Sequence, residues 1–163
     1  MGVKFMNKNK GKASRKGKYF ERLVAKELAK QLDKPYKSVV VRTPNSGGLQ
    51  WKGDIQFLDG FPLYVECKFG YNLNLDSIMK GDQKIRYWWA KAKKEAKTEN
   101  KTPVLIFSQP RFERYVLIDY SMIKGDLSAI PHMLTKDGLV IFPLDYFREA
   151  LIKWNFLKGG TIK

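Results

Sequence analysis

One cysteine and one histidine are all that this chain of 163 residues holds of either type. A disulfide framework and a Cys/His zinc site are therefore both excluded within a single chain. The scarcity points to a reducing, cytoplasmic compartment. It also narrows any catalysis, because acids, bases and metal ligands must come mostly from Asp, Glu, Lys and Tyr. No stretch approaches the roughly 20 apolar residues that span a bilayer. The start, Met1 to Lys18, has no apolar segment of the kind a secretory signal carries. It also has no acidic residue, whereas Lys4, Lys8, Lys10, Lys12, Arg15, Lys16 and Lys18 all fall within it.

The shortage of acids extends to the whole chain: 31 Lys and Arg stand against 16 Asp and Glu, a formal net charge of +15. An excess this large favours a polyanionic partner, above all nucleic acid. Hydrophobic residues make up 44%, enough to bury a core. The length indicates one domain. We expect residues 1–18 to be a mobile basic arm that tracks phosphates, and residues 19–163 to form a single domain with its core over about 19–120. The remainder, 121–163, is expected as a C-terminal appendage.

Ser14 can cap a helix running to about Leu32, with Phe20, Leu23, Val24, Leu28 and Leu32 at helical spacing forming one buried stripe. Glu21 lies at the edge of that stripe, within reach of a sheet beneath. Pro35 ends the helix. Ser38 to Thr43 is a β-branched run and the first strand, and Pro44 to Gly48 is a loop. The segment from Gly53 to Lys68, "GDIQFLDGFPLYVECK", supplies two further strands joined at Asp59-Gly60, with Pro62 hinting at a looser connection. A polar stretch from Tyr71 to Gly81 precedes a second helix over about Asp82 to Lys97, whose outer face is basic. "TPVLIFSQ" and "RYVLIDY" are two more strands, broken at Pro110. Leu139 to Phe142 is a candidate short strand, and Asp145 to Trp154 a last helix. The sum is an α/β chain, a mixed sheet flanked by helices.

Three ionisable residues stand among the apolar positions of the Gly53 to Lys68 segment. Residues two apart on a strand share a face, so Glu66 and Lys68 point one way while Val65, Cys67 and Phe69 point into the core. Asp54 heads the preceding strand. A hairpin that splays open brings Asp54 and Glu66 together, with one ammonium beside them. Two carboxylates in one place repel unless compensated, and a hard divalent cation compensates well. Mg²⁺ accepts such oxygens, and the peptide carbonyl of Cys67 is a further candidate ligand. Such a site cleaves phosphodiesters without His or Cys: the metal activates a water, and Lys68 orients that water, takes its proton or stabilises the transition state. The same spacing also suits a plain salt bridge on an exposed sheet face. Elsewhere, Trp88 and Trp89 read either as sheet-packing residues or as an interface anchor or branch-point wedge. Cys67 reads as a buried small residue, and Asp76 and Asp82 as helix caps. His132 receives no role.

The ordered set Glu21, Arg42, Ser46, Asp54, Glu66 and Lys68 resembles the PD-(D/E)XK nuclease superfamily, whose core motif appears here as Asp-x11-Glu-x-Lys. Within it, the chain is most similar to archaeal-type Holliday junction resolvases, which also occur in phages. "KGKYFE", Arg42, Ser46-Gly47, Asp54-Ile55 and "VECK" follow their order, over about Lys16 to Ile106. Gly53 stands where Pro is common. The resemblance implies a restriction-endonuclease-like fold. It implies Mg²⁺, with Mn²⁺ as a substitute, bound by Asp54, Glu66 and the Cys67 carbonyl with support from Glu21. Lys68 would be catalytic, Ser46 would contact the scissile phosphate, and Arg42 a neighbouring one. Arg15, Lys16, Lys18 and Lys52 are the further DNA-binding candidates. A homodimer would cut a four-way junction with paired nicks, leaving 5′-phosphate and 3′-hydroxyl ends. Two alternatives stand beside this: another nuclease of the same fold acting on flaps, nicks or duplex ends, and a nucleic-acid-binding protein without catalysis.

Overall fold

The computed structural model describes residues 8–44 and 51–154. The first helix, α1, spans Lys8–Gln31. It begins well before Ser14, so Ser14 is not its cap, and residues 8–18 of the expected mobile arm are helical. Lys, Arg and Ala are good helix formers and no Pro interrupts them, so the helix extends through this basic stretch. Residues 1–7 lie outside the described residues.

Phe20, Val24, Leu28 and Leu32 are buried as expected, but Leu23 is exposed. Its place is taken by Ala25 and Ala29, because the buried stripe lies on the other side of the Val24–Leu28 line, about 100° per residue away. The helix ends before Pro35 acts. Asp33 adopts a φ of 54°, and the N–H groups of Asp33 and Lys34 bond to the carbonyls of Lys30 and Ala29. This is a left-handed cap that closes the last turn, with Asp where Gly is usual.

A seven-stranded sheet follows, in the order β1-β2-β3-β4-β5-β7-β6. Its strands are β1 (Val40–Arg42), β2 (Ile55–Phe57), β3 (Leu63–Phe69), β4 (Thr102–Ser108), β5 (Tyr115–Asp119), β6 (Met133–Leu134) and β7 (Leu139–Pro143). Of these strands only β3 and β4 run parallel, over seven paired positions. Their connection carries α2 (Leu75–Met79) and α3 (Gln83–Thr98). Asp82 caps α3 through its carboxylate, as its position predicted, but Asn74 caps α2. Asp76 instead lies inside α2 and pairs with Lys80.

Strand parity sorts the helices. Phe20 of α1 stacks on Phe69 at 5.1 Å, on the face that Val65 and Cys67 share. Tyr64 and Lys68, on the other face, meet Glu95 and Trp88 of α3. One hydrophobic cluster fills both sides of the sheet. The arrangement is an α/β, restriction-endonuclease-like fold.

The C-terminal stretch is not an appendage. β7 pairs with β5, and Val140, Ile141 and Phe142 are buried. A short 3-10 turn and α4 (Phe147–Lys153) then return beside α1, where Gln31 accepts from the Arg148 N–H and donates to the Leu144 carbonyl. Trp89 is buried and donates to Asp119 at 2.9 Å. Trp88 is half-buried against the same face, so both tryptophans pack on the sheet.

Candidate active site

The site forms where β2 and β3 part. The two strands share one registered pair, Ile55 with Val65. One step further the Asp54 N–H still donates to the Val65 carbonyl at 2.8 Å. Beyond that β2 has ended. The next β3 donor, the Cys67 N–H, bonds to the Asp54 carboxylate at 2.7 Å. A side-chain oxygen thus takes the place of a missing backbone acceptor. On its other side the Asp54 carbonyl accepts from the Thr43 N–H. Asp54 is therefore fixed by its neighbours on both sides and is only 8% exposed.

Gly53 makes this close approach possible. Its φ is 79°, a value closed to Pro and strained for any L side chain. A Cβ there would stand 3.2 Å from the Val65 carbonyl and 3.3 Å from the Tyr64 ring. The departure from the more common Pro is thus matched by the local backbone.

Electrostatics follow from the packing. Burial, then the negative charge of Glu66, push Asp54 up to about 7, and the Glu21 charge adds to this. The Cys67 N–H bond pulls in the opposite direction and is outweighed. Lys68 pairs with Glu66 at 2.7 Å. Burial works to lower the Lys68 pKa, but the Glu66 charge and hydrogen bond and the Asp54 charge raise it overall. Lys68 is thus held as an ammonium. Its Nζ also lies 5.3 Å from the centre of the Trp88 ring. Cys67 is buried, and burial pushes its thiol well up, so it is a poor nucleophile.

Glu21 approaches from α1 and accepts from Arg42 Nη1 at 3.1 Å, while the same nitrogen donates to the Thr43 carbonyl. These two residues, expected to face a metal and a phosphate respectively, face each other here.

A cleft of about 980 Å³ opens over the group. Glu21, Arg42, Asp54, Glu66, Cys67 and Lys68 all line it, together with Lys16 and Lys18. Arg15 sits beside it, in an adjoining hollow with Tyr19, Phe69 and Pro110. Lys52 does not line the cleft. Its Nζ is near Thr98 at the end of α3. Ser46 lies outside the described residues. Lys91 and Tyr71 also line the cleft. Lys91 was legible only as one cation of a basic helix face, and Tyr71 only as part of a polar stretch.

Among the described residues no group of three or more His, Cys, Asp or Glu side chains is placed to hold a metal ion. The donors present are the Asp54 and Glu66 carboxylates and a peptide oxygen. The Cys67 carbonyl lies on the same strand edge as its N–H, the edge that β2 leaves at Asp54. Two carboxylates and a carbonyl are hard oxygens, which suit Mg²⁺ or Mn²⁺. A cation there would also offset the repulsion that raises Asp54. The residues thus fit such an ion through two carboxylates, with Glu21 engaged by Arg42.

No curated protein and no solved structure matches the chain. A family model does match, over residues 12–139, and its description is "Phage putative PDDEXK endonuclease". That span covers well over half of the chain and takes in the cleft residues from Ser14 to Pro110. The chain belongs to this family of phage PDDEXK endonucleases.

Proposed function

We propose that this protein is a metal-dependent endonuclease that hydrolyses DNA phosphodiesters at the Asp54–Glu66–Lys68 site, with a four-way junction as its substrate. One observation carries the chemistry: two carboxylates and an ammonium line one cleft together with Lys16, Lys18, Arg42 and Lys91. A protein that only bound nucleic acid would gain nothing from a buried carboxylate in that surface, since it repels phosphate.

Asp54, Glu66 and the Cys67 carbonyl would hold the ion, Mg²⁺ or Mn²⁺, which when bound lowers the pKa of a water and polarises the phosphate. Lys68, kept as an ammonium, stabilises the charge that develops on the phosphoryl oxygens, and this favours that role over general base. Arg42 grips a neighbouring phosphate, exchanging part of its contact with Glu21 for it. Lys16 and Lys18 track the backbone. The products are a 5′-phosphate and a 3′-hydroxyl.

Junction selectivity and a homodimer rest on the resemblance to archaeal-type resolvases. A two-fold dimer matches the near two-fold symmetry of a junction. The cytoplasm of a prokaryotic or phage-infected cell is the matching location. Among the described residues no helix is long and apolar enough to cross a membrane.

A cleavage assay compares a synthetic four-way junction, a flap and linear duplex, with Mg²⁺ and with EDTA. Paired symmetric nicks in the junction alone support resolution. Equal cutting of all three supports a less selective nuclease. Binding without cutting overturns the catalytic reading.

A further inference from the structure

We propose that Tyr71 is a stacking platform for an unpaired nucleobase beside the scissile phosphate. The inference rests on the reading of the cleft as a DNA-cleaving site, and adds to it the kind of DNA the cleft accepts.

The backbone is the first observation. Gly70, Tyr71 and Asn72 follow one another with φ values of 87°, 61° and 53°. Glycine takes such values freely and asparagine with tolerance, but a bulky aromatic there is an outlier. Strained positions persist where surrounding structure enforces them, and they cluster at functional sites. Here both ends of the turn are pinned. The Gly70 N–H donates to the Ser108 carbonyl at 2.8 Å, and Leu73 is buried at the other end.

The ring is the second observation. It is not used to fill the core: Tyr71 is 57% exposed and lines the same cleft as Asp54, Glu66 and Lys68. It is held in place by the half-buried Trp88, edge to face at 4.9 Å. Trp88 also lies under the Lys68 ammonium, so one indole positions both the catalytic cation and the exposed ring. The Lys84 ammonium lies over the same ring, 6.0 Å from its centre, and an aromatic face presented among cations is the arrangement by which proteins hold single-stranded nucleic acid. A base inside an intact duplex has no free face to offer. The platform therefore favours DNA in which a base near the cut is unpaired, as at a branch point, flap or frayed end.

The test places 2-aminopurine, whose fluorescence falls on stacking, at each of the nucleotides flanking the cleavage point of a branched DNA. Binding is followed in the Glu66→Gln protein, so that no cutting intervenes. We expect quenching at one position with this protein and with the added Tyr71→Phe substitution, and its loss with Tyr71→Ala. In the same Glu66→Gln background, Tyr71→Ala should weaken binding of the branched DNA roughly 5- to 150-fold while Tyr71→Phe does not, the range that loss of one base stack gives. Unchanged quenching and affinity with Tyr71→Ala overturn the platform. Absence of cutting on every DNA tried, with Tyr71-dependent quenching retained, overturns the nuclease reading and leaves the stacking site standing.

Discussion

Asp54→Asn should make the metal-free protein more stable above neutral pH while removing its activity. The bond from the Cys67 N–H to the Asp54 carboxylate closes the β2–β3 ladder. An Asn side-chain carbonyl can still accept from the Cys67 N–H, so the substitution removes charge and keeps the acceptor. The carboxyl of Asp54 is raised from 3.8 to about 7 by burial and by Glu66. A raised carboxyl keeps its proton in the folded state at a pH where the unfolded chain releases it. Between these two values the folded state binds more protons, so stability falls as pH rises through the window. Below it both states are protonated and the carboxyl has no effect.

A shift of about three units corresponds to about 4 kcal/mol at 1.36 kcal/mol per unit. For a chain of this size 1 kcal/mol moves Tm by roughly 2–4 °C. Thermal unfolding followed by circular dichroism in EDTA should therefore show Asp54→Asn melting roughly 10 °C above the parent at about pH 8.5. The gap should close on going down to about pH 4. Adding Mg²⁺ should raise the melting of the parent and not of the variant. A variant that is no more stable at high pH, or a gap that does not change with pH, would refute the argument.

Four other outcomes are expected. Glu66→Gln should abolish cleavage and leave DNA affinity, read by gel shift, intact or slightly tighter, whereas Lys68→Ala should lose roughly 10²–10³ in rate at saturating DNA. Cutting by Glu66→Gln at the parent rate would exclude that carboxylate as a ligand. Replacing Lys16 and Lys18 by Ala should lower the slope of log affinity against log salt by about 0.9 for each phosphate that is no longer neutralised. Gly53→Ala should cost roughly 1–3 kcal/mol in denaturant unfolding, since it adds a Cβ at a positive φ hard against the Val65 carbonyl.

The sequence carried those parts of the fold that depend on near neighbours. The parity of Glu66 and Lys68, the Asp82 cap and the β-branched strands are all local facts, and each appears in the structure. α2 was missed because within its short span only Ile78 is buried, too little for a periodic signal in a polar stretch. The strand at Leu139 to Phe142 and the helix after it are legible locally, but the pairing of β7 with β5 is a matter of tertiary arrangement, which alternation does not report. The same holds at the site. Asp54, Glu66 and Lys68 were readable from spacing and residue type. The Glu21–Arg42 pair depends on how α1 crosses the sheet, and the place of Tyr71 on a left-handed backbone. Lys52 lies only two residues from Asp54, yet the turn at Gly53 carries it away from the cleft.

The parallel pairing of β3 with β4 has a consequence for how such a protein can change over time. Both strands run out at the same end of the sheet, and the segments that leave them, around Gly70 and around Pro110, border the same cleft. Glu66 and Lys68 are anchored on β3 itself, whereas the segments that carry Gly70, Tyr71 and Pro110 to the cleft lie outside the ladder. Insertions or replacements in those exits can alter what the cleft admits while the carboxylate and ammonium borne by the strand are inherited unaltered. A swap of the 70–74 and 109–113 segments between relatives would therefore move substrate choice as a transferable module.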